Sequence, residues 1–240
     1  MELSLVALVV AAAATVAGAS IQSAIGFGMN LVTVPVLAVV LPEALPAAVI
    51  MLGLPMSVAM LRHEHAAVDR PGTAWILAGR VPGTVAGTWV VAGLSTDALR
   101  GVVGMVVLLL VLASLTTPPL PVQPSTQVVA GMVSGLTGTA AGIGGPPLAL
   151  LYQRHPGPTM RATLAAAFCV GTVLSLVALG VAGTLTRTQL GVGLLLAPLV
   201  VVGSLLGRRA HAVLDRGWLR PGVLAFSTVS AAAVVVDALR

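Results

Sequence analysis

Apolar runs separated by short polar gaps recur along the chain from end to end. They fall at 3–25, 27–41, 44–61, 73–92 and 98–115, and again at 126–141, 143–152, 159–182, 189–206 and 218–238. A bilayer core about 30 Å thick takes roughly 20 apolar residues per spanning helix, and most of the runs approach that length. The runs 27–41 and 143–152 look too short to span alone, and each follows a glycine cluster. Between the fifth and sixth runs, the proline-rich, charge-free stretch Thr116 to Pro124 cannot hold a helical hydrogen-bond ladder. The pattern predicts an all-α polytopic membrane protein with a single transmembrane domain over 1–240. Repeat 1 covers about 1–116, a linker 117–124, and repeat 2 about 125–240. Each repeat has five helical segments, giving eight long helices and two short broken or re-entrant ones.

The duplication is visible in the residues themselves. Gly26-Phe27-Gly28 maps onto Gly142-Ile143-Gly144 at an offset of 116 (26 + 116 = 142). Gly83 and Gly87 map onto Gly203 and Gly207 at an offset of 120 (83 + 120 = 203), and the same offset carries Leu99-Arg100 onto Leu219-Arg220. Internal repeats of this kind are typical of transporters. The arginine-rich loop falls at a different place in each half. In the first it is 62–70, whose second-half counterpart near Thr184 to Thr188 holds only Arg187. In the second it is 208–216, whose first-half counterpart from Ser95 to Asp97 holds only an acid. Inverted halves account for this, because positive charge favours the cytoplasmic side. Five crossings per half put 62–70, 154–161 and 208–216 on one cytoplasmic face with both termini outside. If the short segments are re-entrant, the count falls to eight and this agreement is expected to be lost.

Composition supports the membrane reading. Of 240 residues 58% are hydrophobic and only 8% charged, against about 25% charged in soluble domains, and the mean hydropathy is +1.07. The net charge of +5 comes from arginines in short gaps, with aromatics at 3%. That reads as an orientation signal and excludes nucleic acid as a partner. The first twenty residues resemble a signal peptide. Glu2 stands where a basic region belongs, however, and the apolar pattern continues, so this segment reads as a retained first helix. Cys169 is the single cysteine, which leaves no internal disulfide and favours an inert packing role. The four charged or imidazole side chains His63, Glu64, His65 and Asp69 read as a solvated loop. The expectation is no metal and no cofactor.

Two glycine clusters carry the candidate chemistry. The second half reads Gly131-x3-Gly135-x2-Gly138-x3-Gly142-x-Gly144-Gly145-Pro146-Pro147, with Thr137 and Thr139 inside it. The first reads Gln22-Ser23-Ala24-Ile25-Gly26-Phe27-Gly28-Met29-Asn30, then Pro35. Glycine and paired prolines break a helix and free backbone groups at membrane depth. Irregular backbone there is tolerated only against protein or a water-filled cavity. A new helix start also favours an anion through its N–H groups and dipole. Gly131 and Gly135 alone read as packing glycines. Close packing needs neither paired prolines nor buried amides, so Gly26–Asn30 and Gly142–Pro147 read as a site. Arg80 lies inside the run 73–92, and its repeat partner is Val200. A charge within a span is a functional candidate, weighed against a guanidinium that snorkels to the interface. The substrate-binding set is therefore Gln22, Ser23, Gly26, Gly28, Asn30, Thr137, Gly138, Thr139, Gly142, Gly144, Gly145, Pro146 and Arg80.

Gln22 to Pro35, with Gly26-Phe27-Gly28 inside it, resembles the first conserved region of the TauE/SafE family of sulfite and organosulfonate exporters. Gly131 to Pro147 resembles its second copy, and the likeness extends over nearly the whole chain. It implies a multi-pass transporter of the plasma (inner) membrane, with the lipid bilayer and a small anionic solute as partners. The expected solute is sulfite, an organosulfonate or a related organic anion, moved by alternating access around the paired breaks. Met29 and Asn30 depart from the pattern, standing where the second half has Gly145 and Pro146. Two other functions fit parts of the sequence: a passive anion channel on the same breaks, and an intramembrane hydrolase with Ser134 as nucleophile. Every histidine (His63, His65, His155, His211) falls in or near a loop and no lysine exists, so Ser134 lacks the base it would need.

Overall fold

The computed structural model describes residues 4–116, 118, 120–214, 225 and 228. The last apolar run (218–238), the pair Leu219-Arg220, and Arg216 lie outside the described residues, apart from positions 225 and 228. Among the described residues the structure is all helical. It comprises α1 (Leu5–Ile25), α2 (Met29–Val40), α3 (Ala47–Glu64), α4 (Arg70–Gly93), α5 (Thr96–Thr116), α6 (Pro124–Ala140), α7 (Gly145–Tyr152), α8 (Gly157–Val181) and α9 (Arg187–Leu214). Three of these, α1, α8 and the 187–209 part of α9, are long and apolar enough to cross a membrane.

Helix ends follow local chemistry. Asp69 caps α4 by accepting from the Gly72 amide at 2.9 Å, with Pro71 in the first turn. Thr186 and Gln189 exchange side-chain and amide bonds at the start of α9. α1 stops where Gly26 adopts φ +94°, its N–H returning to the Gln22 carbonyl at 2.7 Å. That backbone region is open mainly to glycine.

Glycine contacts fix how the helices run. A Cβ at Gly203 would stand 2.5 Å from the Val16 carbonyl oxygen, and one at Gly207 2.2 Å from that of Ser20. α9 therefore lies directly on the backbone of α1, pointing the same way. In the same fashion Gly79 and Gly83 of α4 sit on the Val128 and Met132 carbonyls of α6. α2 doubles back along α1, with Thr33 bonded to the Ala14 carbonyl. α7 doubles back along α6, with the Gln127 amide donating to the Tyr152 hydroxyl at 2.9 Å. α3 and α8 pack against each other between the two glycine-locked pairs. Both short helices fall below the bilayer thickness. The 12 residues of α2 extend about 18 Å and the 8 of α7 about 12 Å.

The ends of α3 and α9 and the start of α8 meet at one end of the bundle, bringing Arg161 and Arg208 together. Arg161 pairs with Glu64, Arg208 meets His63, and the Asp69 amide donates to Thr163 at 3.0 Å. α2 and α7 turn back along α1 and α6, and these loops still meet at one end of the bundle. A helix and its short successor return together to the end where they began, so the order of loops at each end is unchanged. The apolar interior includes Leu37, Leu52, Met56, Ile76, Leu148 and Leu164, all below 2% exposed. Large apolar side chains such as Leu5, Trp89, Leu115, Val181 and Leu194 point outward, the arrangement of a protein solvated by lipid.

Candidate functional site

α1 ends and α2 begins around Gly26-Phe27-Gly28; α6 ends and α7 begins around Ala141 to Gly144. Gly28 and Gly142 also take left-handed φ values, +113° and +72°, whereas Gly144 does not. The two turns come into contact. Asn30, at the second position of α2, donates from Nδ2 to the Gly142 carbonyl at 2.6 Å. Gln22 Oε1 accepts from the Met29 amide at 3.1 Å and so caps the start of α2 from the helix before it. On the other side the Ser134 hydroxyl donates to the Gly144 carbonyl at 2.7 Å.

Where the turns meet, a cavity of about 60 Å³ is open to the centres of water molecules. A single water needs only about 10–15 Å³ on that measure, so there is room for a small polar solute. Nine of the thirteen candidate residues line it: Gln22, Gly28, Asn30, Arg80, Gly138, Gly142, Gly144, Gly145 and Pro146. The other four face elsewhere. Ser23 bonds the Ser204 carbonyl, Gly26 lies against the Arg161 stem, Thr137 bonds back to the Val133 carbonyl, and Thr139 meets Ser175. Sequence reasoning missed Gly53 on α3 and Phe168, Thr172 and Ser175 on α8. The last three recur at spacings of four and three residues, one face of a helix, and that periodicity was the available signal.

Arg80 does not snorkel. It is 4% exposed and points inward, with Nη1 donating to Ser134 Oγ at 2.9 Å. Its guanidinium carbon stands 5.4 Å from the centre of the Phe168 ring. Gly171 makes the space, since a Cβ there would stand 1.8 Å from Arg80 Nε. That Nε has no partner, and neither does the buried Oδ1 of Asn30. Among the described residues no carboxylate pairs with Arg80; the ion pair present is Arg161–Glu64. Burying a guanidinium costs several kcal/mol. One charged hydrogen bond returns about 1.5–3 kcal/mol and a desolvated ring face about 2 kcal/mol. The site therefore holds positive charge that its own residues only partly compensate. Pro146 and Pro147 carry no N–H, so the donors at the start of α7 reduce to Gly144 and Gly145. Ser134 is already bonded to both Gly144 and Arg80, an orienting role rather than that of a nucleophile beside a base.

The family model described as Sulfite exporter TauE/SafE matches residues 10–234, nearly the whole chain. The chain belongs to the TauE/SafE family. No curated protein and no solved structure matches it. Membership makes it a membrane transporter rather than an enzyme and directs attention to sulfite-like anions as cargo. Both glycine turns and Arg80 lie inside the matched TauE/SafE region.

Proposed function

We propose that this TauE/SafE protein moves sulfite, or an organosulfonate of similar head group, across the plasma membrane by alternating access around the cavity where the two glycine turns meet. The observation that carries this reading is Arg80, a buried guanidinium with a free Nε and, among the described residues, no carboxylate partner, facing that cavity. The anion supplies the missing countercharge, and the backbone N–H groups of Gly144 and Gly145 at the start of α7 complete the cradle.

In this reading the two halves are inverted repeats. Support comes from the reciprocal packing of α1 on α9 and of α4 on α6, each placing the opening helix of one half on the fourth helix of the other. The arginine-bearing end faces the cytoplasm. The moving bodies are then not the halves. The glycine-locked pairs α1/α9 and α4/α6 each join one half to the other, and each carries one turn of the site. Rocking one pair against the other, with α3 and α8 between them, opens the cavity to alternate sides.

Counterflow in proteoliposomes tests the proposal. Uptake of labelled sulfite is expected to saturate and to accelerate when unlabelled sulfite is trapped inside. Flux without acceleration would favour a passive channel, and no flux of sulfite or of a short sulfonate would reject the cargo.

A further inference from the structure

A second cavity, about 230 Å³ open to the centres of water molecules, lies at the arginine-bearing end. Its walls include Ser23, His63, Glu64, Arg161 and Arg208. The last turn of α1 separates it from the central cavity, with Gln22 lining one and Ser23 the other. Arg161 also touches the turn itself, since a Cβ at Gly26 would stand 2.6 Å from Arg161 Cγ.

The chemistry of this cavity is that of an oxyanion receptor with an internal occupant. Arg161 Nε reaches both carboxylate oxygens of Glu64 at 3.0 Å, and Nη2 donates to Oε1 as well. A guanidinium grips a sulfonate or sulfite through the same edge. Arg208 donates to His63 Nε2, and among the described residues the cavity wall carries two guanidiniums and one carboxylate. The Arg161 and Glu64 side chains are 18% and 22% exposed, and ion pairs that water still reaches are weak enough to exchange partners.

We propose that this cavity is a second anion site, an antechamber in which a small oxyanion replaces Glu64 on Arg161 while Arg208 turns from His63 to hold its far side. The anion then waits beside the Gly26 turn, one helical turn from the central cavity. The proposal shares its ligand class with the central site but none of its residues.

Equilibrium binding of labelled sulfite to the purified full chain, in chloride-free buffer, separates the two. Two classes of site per chain are expected. Glu64→Gln removes the competing carboxylate and tightens one class by roughly fivefold. Arg208→Gln weakens that same class by roughly tenfold. Neither changes the class that Arg80→Gln abolishes. A single class indifferent to Glu64→Gln and Arg208→Gln, or weaker binding in Glu64→Gln, overturns the antechamber. Binding that responds to Glu64→Gln but not to Arg80→Gln supports the antechamber and rejects the central site instead.

Discussion

Asn30 Nδ2 lies 2.6 Å from the Gly142 carbonyl oxygen, a bond between residues 112 positions apart that ties the start of one short helix to the turn before the other. Gly142 needs this partner because its turn leaves the helical ladder. The neutral amide supplies it without burying a further charge.

Replacing Asn30 by Leu leaves that carbonyl unpaired inside the protein. An orphaned buried acceptor costs about 1–3 kcal/mol. The melting temperature of Asn30→Leu in detergent should fall and sulfite flux should be lost, whereas Asn30→Gln should retain part of each. Equal melting and flux in wild type and Asn30→Leu would show that the bond does no structural or functional work.

Much of the fold was legible because lipid-facing and core positions are both apolar, so each long helix announces itself as a run. The α3 run was read as 44–61, while the helix covers Ala47–Glu64. Its final turn is polar because it leaves the apolar layer, which hydropathy alone cannot follow. The glycine turns were legible from residues with few other uses at that depth. Ser23 lies outside the central cavity because adjacent helix residues point about 100° apart, and Gln22 takes the cavity-facing position. Phe168 shares a face of α8 with Thr172 and Ser175, but that periodicity does not single it out as a partner for a cation until Arg80 is brought over its ring.

Gly171 offers a test of Arg80 placement from a distance. A methyl group there would occupy the space of Nε, so Gly171→Ala should push the guanidinium off Ser134 and weaken sulfite binding by at least about tenfold. Gly191→Ala is the control. It has open space around its would-be Cβ on α9, and alanine should stabilise the helix by up to about 1 kcal/mol. Titration calorimetry on both variants checks the contrast; comparable affinities would remove Gly171 from the account.

The glycine seams predict matched damage. Gly83 and Gly203 lie 120 positions apart, and each sits on the backbone of a neighbouring helix. Gly83→Leu and Gly203→Leu should both reduce the yield of monodisperse protein on size exclusion, by wedging α4 from α6 and α9 from α1. If only one does so, the two seams are not equivalent and the pairwise rocking bodies are wrong.

Ser134 orients Arg80 rather than attacking a substrate. Ser134→Ala should raise the KM for sulfite several-fold, the loss of one hydrogen bond to a charged group, while the maximal rate stays near wild type. A fluorophosphonate probe should leave wild-type Ser134 unlabelled. Covalent labelling at that position would return the intramembrane hydrolase to consideration.

The central claim is that the buried charge of Arg80 binds the transported anion, and sulfite counterflow in Arg80→Gln and Arg80→Lys tests it most directly. The glutamine variant should reconstitute as a folded protein yet lose counterflow by a factor of about 100 or more. Lysine should restore a measurable part, because it keeps the charge but not the planar fork. Wild-type counterflow in a well-folded Arg80→Gln protein would contradict the account.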